Sequence, residues 1–142
     1  MKIIDANVLI YSVSRQSPKF EIATSWLNKA MSESETIGFS WLVLIAFMRI
    51  TTHSRLSPQP LSIQQAKHVV QEWLGQPCST VLHPTHKHLN LIEELLEPLG
   101  VAGDLTNDAH IAALAIEHGA TVYSFDNDFS RFPRVRWAMP SL

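Results

Sequence analysis

Apolar positions along the chain fall into two alternating periods. Lys2-Ile3-Ile4, Thr36 to Phe39, Cys78 to Leu82 and Thr121 to Phe125 are short β-prone runs, each followed closely by polar or turn-forming residues. Between them the spacing is helical. Phe20, Ala23, Trp26 or Leu27, Ala30 and Met31 make one stripe, and Trp41 to His53 a second helix behind Ser40 as its cap. Ile63, Ala66, Val70 and Trp73 lie on one face of a third, which opens with a Ser62/Gln65 capping box and ends near Gly75. Thr85 is placed to cap a fourth, striped by Leu89, Ile92, Leu96 and Leu99. A short helix over Asn7 to Val13 and an edge strand over Val135 to Met139 complete the pattern. Strands alternating with helices predict an α/β fold with a mainly parallel central sheet and helices on both faces.

The stretch from residue 104 to 129 is the most informative. Thr106 suits an N-cap, Asp108 falls in the first helical turn, and Gly119 suits the position just past the last turn. Ala109, Ile111, Ala112, Ala113, Leu114, Ala115 and Ile116 leave almost no polar face, so the helix is expected to be buried on most sides. The strand after it breaks at Asp126, Asn127 and Asp128. At the other end of the chain, Lys2-Ile3-Ile4 stops at Asp5, with Asn7 beyond. Side by side and parallel, about 4.8 Å apart, these strands bring Asp5 and Asp126 together at the carboxyl edge of the sheet. Each anion raises the other's pKa unless a cation neutralises the pair, and hard oxygen ligands suit Mg²⁺ or Mn²⁺. Taken singly these aspartates serve as turn and cap residues; as a set they have no such use.

Composition narrows the function further. A chain of 142 residues with 46% hydrophobic content is expected to form a single domain over residues 1–142. A net charge of −2 argues against nucleic-acid binding through overall charge, while leaving room for a local basic rim. Arg49 and Arg55, at the end of the second long helix, complement its dipole or face RNA; Arg131, Arg134 and Arg136 sit among aromatics in the tail. The single Cys78 cannot form an internal disulfide, which fits a reducing compartment such as the cytoplasm. Asp5 interrupts the first apolar run before a signal peptide can form, and Trp41 to Met48 is too short to span a membrane. His83, His86 and His88 lack the partner pattern of a zinc site and read as loop and cap residues. Glu93, Glu94 and Glu97 read as a solvated face, and Gly100 and Gly103 bracket a flexible lead, Val101-Ala102, suited to a lid.

Three blocks, Asp5-Ala-Asn-Val-Leu-Ile, Asn107-Asp108-Ala-His-Ile-Ala-Ala-Leu-Ala and Ser124-Phe-Asp126-Asn-Asp128-Phe129, resemble in the same order the best-marked motifs of PIN-domain ribonucleases. The similarity is closest to VapC-like toxins of toxin–antitoxin pairs and runs from residue 3 to about residue 137. It implies a PIN-like three-layer fold with strand order 3-2-1-4-5 and a Mg²⁺-dependent RNA-cleaving site. In that site Asp5, Asp108 and Asp126 match the family's acidic positions, Asp128 an accessory acid, and Ser124 a small hydroxyl residue. It also implies a cognate antitoxin, whose helical segment would lie in a groove by Trp26, Leu27 and Met31, and a homodimer. Arg49, Arg55, Arg131, Arg134 and Arg136 would position RNA through its phosphates. One departure stands out: where many relatives carry a Glu three residues before an Arg, here Arg49, this chain has Ala46. Asp128 or Asp104 would then supply the missing carboxylate. Two rivals remain, a catalytically decayed nuclease fold that only binds, and a receiver-like phosphoacceptor domain. The latter fits less well, because Asp5 is followed by Ala6 and no lysine occurs after Lys87.

Overall fold

In the computed structural model, which describes residues 1–100 and 102–142, five short strands form one parallel sheet. They are β1 (Lys2–Ile4), β2 (Ile37–Phe39), β3 (Ser79–Val81), β4 (Thr121–Tyr123) and β5 (Trp137–Ala138), in the order β3-β2-β1-β4-β5. This is the order expected of the family. β1 and β2 are buried at every residue, as inner strands covered on both faces must be. Gly38 in β2 is required by packing, because a Cβ there would collide with the Leu82 side chain.

Helices α1 (Ala6–Tyr11), α2 (Phe20–Ser32), α3 (Trp41–Thr51), α4 (Ile63–Leu74), α5 (His88–Leu96) and α6 (Thr106–His118) cover the sheet. Several begin where the sequence directs. Ser40 accepts the Leu42 N–H at 3.2 Å to cap α3, and Ser62 with Gln65 forms the expected capping box of α4. α6 closes on Gly119 at φ 66, a left-handed conformation that glycine adopts without cost. Its alanines Ala109, Ala112, Ala113 and Ala115 are all buried, so the helix lies close against its neighbours.

Five expectations are corrected. Thr106 is the first residue of α6 and not its cap, because a 3₁₀ turn over Gly103–Leu105 runs directly into the helix and its backbone bonds replace a side-chain cap. Thr85 does not cap α5: its hydroxyl donates to Glu117 at 2.7 Å and accepts the N–H of Lys87, the residue just before the helix, at 3.2 Å, so no N–H within the helix donates to it. Leu89 is 79% exposed, since α5 turns His88, Leu91 and Leu95 inward, and Ile63 at the first turn of α4 is 58% exposed. Trp26 and Leu27 are core residues, Trp26 packed against Tyr123 with ring centroids 4.7 Å apart and the planes tilted by 36°, and so they are not open to a partner's helix. Val101, in the lead expected to act as a lid, lies outside the described residues.

Candidate active site

The site forms because three elements share one end of the sheet. α1 and α3 start immediately after β1 and β2, at the carboxyl edge. α6 leads into the start of β4, where the Thr121 N–H bonds the Met1 carbonyl, so its first turn points back toward that same edge. Thirteen helical residues span about 20 Å, more than the three-residue strands beneath them.

Register then decides which residues meet. Ile4 pairs with Tyr123, so Asp5 stands level with Ser124, and Asp126 lies two residues beyond the level expected for it. β4 ends at Tyr123 because the chain turns there to build a network. The Ser124 hydroxyl, fully buried, donates to Asp5 Oδ2 at 2.8 Å and accepts the Asp126 N–H at 3.0 Å and Asn7 Nδ2–H at 3.0 Å. Asn7 Oδ1 in turn accepts the Phe125 N–H at 3.1 Å, and Asp5 Oδ1 caps α1 through the Ala6 N–H at 2.8 Å. Asn7 thus ties the first block to the last. The sequence shows it two residues after Asp5 but gives its side chain no task; the Asp-x-Asn spacing at a helix start was the available signal.

The electrostatics identify which acids are neighbours. Burial first, then the charges of Asp5, Asp128 and Asp126, push the Asp108 carboxyl up to about 6, with Arg131 opposing. Asp5 is raised too, chiefly by burial and further by Asp126 and Asp128, against the hydrogen bonds from Ser124 and Ala6. Asp126 is exposed and Asp128 half-buried at the rim. Asp104 is exposed and contributes to neither shift. Among the described residues no three His, Cys, Asp or Glu side chains close on one point as they stand. The donor set nevertheless fits a hard divalent cation: carboxylate oxygens, mutually repelling, with Arg131 the one cation whose charge registers on Asp108.

The remaining arginines are dispersed. Arg131 closes the 3₁₀ turn Asp128–Arg131 beside the acids. Arg136 donates to the Gly119 carbonyl at 3.0 Å and precedes β5, which places it at the opposite edge of the sheet; Arg134 pairs with Glu94 at 3.0 Å. Arg49 sits about 12 Å along α3 from its first residue, with Arg55 in the loop past its end. Of five arginines expected to position RNA, only Arg131 is brought to the carboxylates. His83 and His86 are exposed loop residues, whereas His88 is buried, its Nδ1 donating to Glu117 Oε2 at 2.9 Å and its Nε2 lying 2.8 Å from His110 Nδ1. His110 lies in the second resembling block without a task of its own and Glu117 lies outside it; only the packing of α5 on α6 reveals the chain they form.

A parallel sheet of this order with acids gathered at its carboxyl edge defines a class, and the chain belongs to it: the PIN domain family matches residues 2–135. Among curated proteins it is 42% identical to Ribonuclease VapC37 of Mycobacterium tuberculosis over 140 residues, 99% of this chain and 97% of that one. It is 36% identical to Ribonuclease VapC33 of the same species over 99% of this chain and 98% of the relative. Among solved structures, VapBC2 from Rickettsia felis bound to a promoter DNA fragment superposes with a TM-score of 0.71 at 20% identity, covering 97% of each chain. M. tuberculosis VapC20, described as a sarcin–ricin loop cleaving toxin, superposes at 0.64 with 19% identity over 92% and 93%. No helix among the described residues is long and apolar enough to cross a membrane.

Proposed function

We propose that the chain is a Mg²⁺-dependent endoribonuclease, with Mn²⁺ as a substitute, acting in the cytoplasm as the toxin of a toxin–antitoxin pair. The observation that carries this reading is an uncompensated carboxylate cluster in a chain alike over its whole length to proteins named as ribonucleases. Asp5, Asp108 and Asp126 would hold the cation. Asp128, whose charge bears on both Asp5 and Asp108, is the candidate to replace the carboxylate that Ala46 lacks, in preference to Asp104. Held by these residues, the ion would supply Lewis-acid activation of a water and offset charge on the scissile phosphate. The residues of the chain do the rest. Ser124 and the Ala6 N–H hold both oxygens of Asp5, so the carboxylate keeps one orientation and presents its free lone pairs outward. Asn7 and Ser124 clamp the loop that carries Asp126. Arg131 is the cation placed to receive a phosphate of the strand.

An antitoxin partner follows from the same family reading and from the VapBC complexes among the structural neighbours. An arginine from that partner would neutralise the acids in place of part of the metal's charge. A homodimer is the expected assembly. The test is cleavage of single-stranded RNA with Mg²⁺ or Mn²⁺, arrested by EDTA and by Asp5→Asn or Asp126→Asn. Cleavage that survives EDTA or both substitutions overturns the metal mechanism, and RNA that is bound but never cut identifies the decayed binding module instead.

A further inference from the structure

A cleft of about 480 Å³ opens at the carboxyl edge beside the acids, between the β2–α3 junction, the loop after β3 and the first turns of α6. Trp41, Leu42, Leu82 and Pro84 give it apolar walls, while Asn107 and His110 bring polar groups from α6. Its position follows from register. Ile3 pairs with Gly38, so two residues on Asp5 stands level with Ser40, one strand spacing of about 4.8 Å away. Asn107 precedes Asp108 directly, with Cα atoms about 3.8 Å apart. The cleft therefore adjoins the site proposed to cut the strand.

Two features of the cleft are unusual for mere packing. Trp41 leaves 46% of its surface exposed there, an aromatic plane at the first residue of α3. His110 is held by a polar chain: Glu117 accepts from Thr85 and His88, His88 Nε2 meets His110 Nδ1 at 2.8 Å, and His110 Nε2 lies 3.4 Å from Ser40 Oγ. Two imidazoles and a carboxylate are thus committed between α5 and α6, where an apolar pair would pack at less cost. Of these groups His110, half-buried, is the one that lines the cleft. An exposed aromatic face and fixed polar groups lining one cleft are how proteins bind an unpaired base, whereas a helix lying in a groove needs chiefly apolar depth.

We propose that this cleft is a base-binding subsite, which takes one unpaired nucleobase of the RNA next to the cleaved phosphate, stacked on Trp41 with its edge read by His110 and Asn107. The inference rests on the ribonuclease reading and adds the origin of its sequence preference. Glu117 and His88 act as positioning residues, because they reach the base only through His110.

The experiment compares the full chain with Trp41→Ala and His110→Gln on single-stranded RNA randomised in sequence, with product ends sequenced and single abasic sites then introduced around the preferred cut. The full chain should show a base bias at one position flanking the cut, and an abasic site there should slow its cleavage at least about five-fold. The same abasic site should cost Trp41→Ala nothing further, and His110→Gln should flatten the bias. Equal abasic penalties at every position in the full chain and in Trp41→Ala overturn the subsite while leaving the nuclease intact. Should no RNA be cut under any metal, the nuclease reading fails separately. The subsite then stands or falls on tryptophan fluorescence in metal-free buffer: quenching by an RNA hexamer that Trp41→Phe removes supports it, and quenching that Trp41→Phe leaves unchanged overturns it. Unaltered RNA cleavage by Trp41→Ala, together with lost binding of the antitoxin, assigns the cleft to the protein partner and refutes the proposal.

Discussion

Replacing Asp108 by Asn should stabilise the metal-free protein while abolishing cleavage. The folded carboxyl titrates near 6 against an ordinary value of 3.8, a rise of about 2 units. At roughly 1.4 kcal/mol per unit the cost of holding that charge is at most about 3 kcal/mol. Asp108 is only half-buried, so solvent screening reduces this to about 1–1.5 kcal/mol, and the loss of a negative charge from the first turn of α6 returns a few tenths. The net gain is about 1 kcal/mol, a rise in melting temperature of about 3 °C for a chain of this length. The sign depends on pH in a defined way. A carboxyl whose folded pKa is raised costs stability where it must ionise: fully above about pH 6, decreasingly from there to 3.8, and not at all below. Melting curves in EDTA at pH 8, 6 and 4.5 should therefore show the gain of Asp108→Asn largest at pH 8 and shrinking toward pH 4.5. An Asn variant that melts lower than the parent at pH 8, or a gain independent of pH, would refute the account of an uncompensated cluster.

Millimolar Mg²⁺ or Mn²⁺ should stabilise the parent by up to about 2.7 kcal/mol at a hundred-fold excess over Kd and so raise its melting temperature, and absence of any shift in calorimetry would count against a preformed site. Ser124→Ala removes the acceptor of Asn7 and of the Asp126 N–H in a fully buried position; it should lower stability by about 1–3 kcal/mol in denaturant melts and slow cleavage even at saturating metal. Arg131→Ala should weaken RNA binding and lower the salt slope of log K by roughly 0.7, while Arg134→Ala and Arg136→Ala, altered away from the acids, leave the slope unchanged. Ala46→Glu should tighten Mn²⁺ binding measured by calorimetry and Asp128→Asn weaken it; no change in either would show that the site does not depend on a fourth carboxylate.

Much of this architecture was legible because local and long-range signals agree. The caps Ser40, Ser62 and Gln65, the glycine after α6 and the apolar strands all direct the chain to the same sheet, and strand order came from family resemblance. What escaped was phase and register. Leu89 belongs to a plausible apolar stripe, yet α5 turns by one residue because His88 finds Glu117 and His110 on α6, contacts across 29 and 22 residues that no local period records. Asp126 is placed two residues past its expected level because β4 stops where Ser124 bonds Asp5 across 119 residues. Where the arginines stand was hidden for the same reason: sequence shows that cations exist in the tail, and only the pairing of β4 with β5 shows that Arg136 stands at the far edge.

Two carboxylates on α6 make the functional argument by contrast. Glu117 near its end is covered, its side chain 2% exposed, yet its pKa is lowered: burial opposes ionisation, but hydrogen bonds from Thr85 and His88 outweigh it. Asp108 at its start is less covered and its pKa is raised, because burial is reinforced by three other aspartates. The chain can therefore satisfy a buried carboxylate on this helix, and at Glu117 it does so with its own donors. At Asp108 it gathers further anions instead. A fold that compensates one acid and concentrates charge around another on the same helix supports the proposed cation site at the second, because a surplus of oxygen ligands favours a cation over a neutral substrate. The same contrast orders the roles along α6: the compensated end fixes His88 and His110 in place, and under the proposed function the uncompensated end would meet the reacting phosphate.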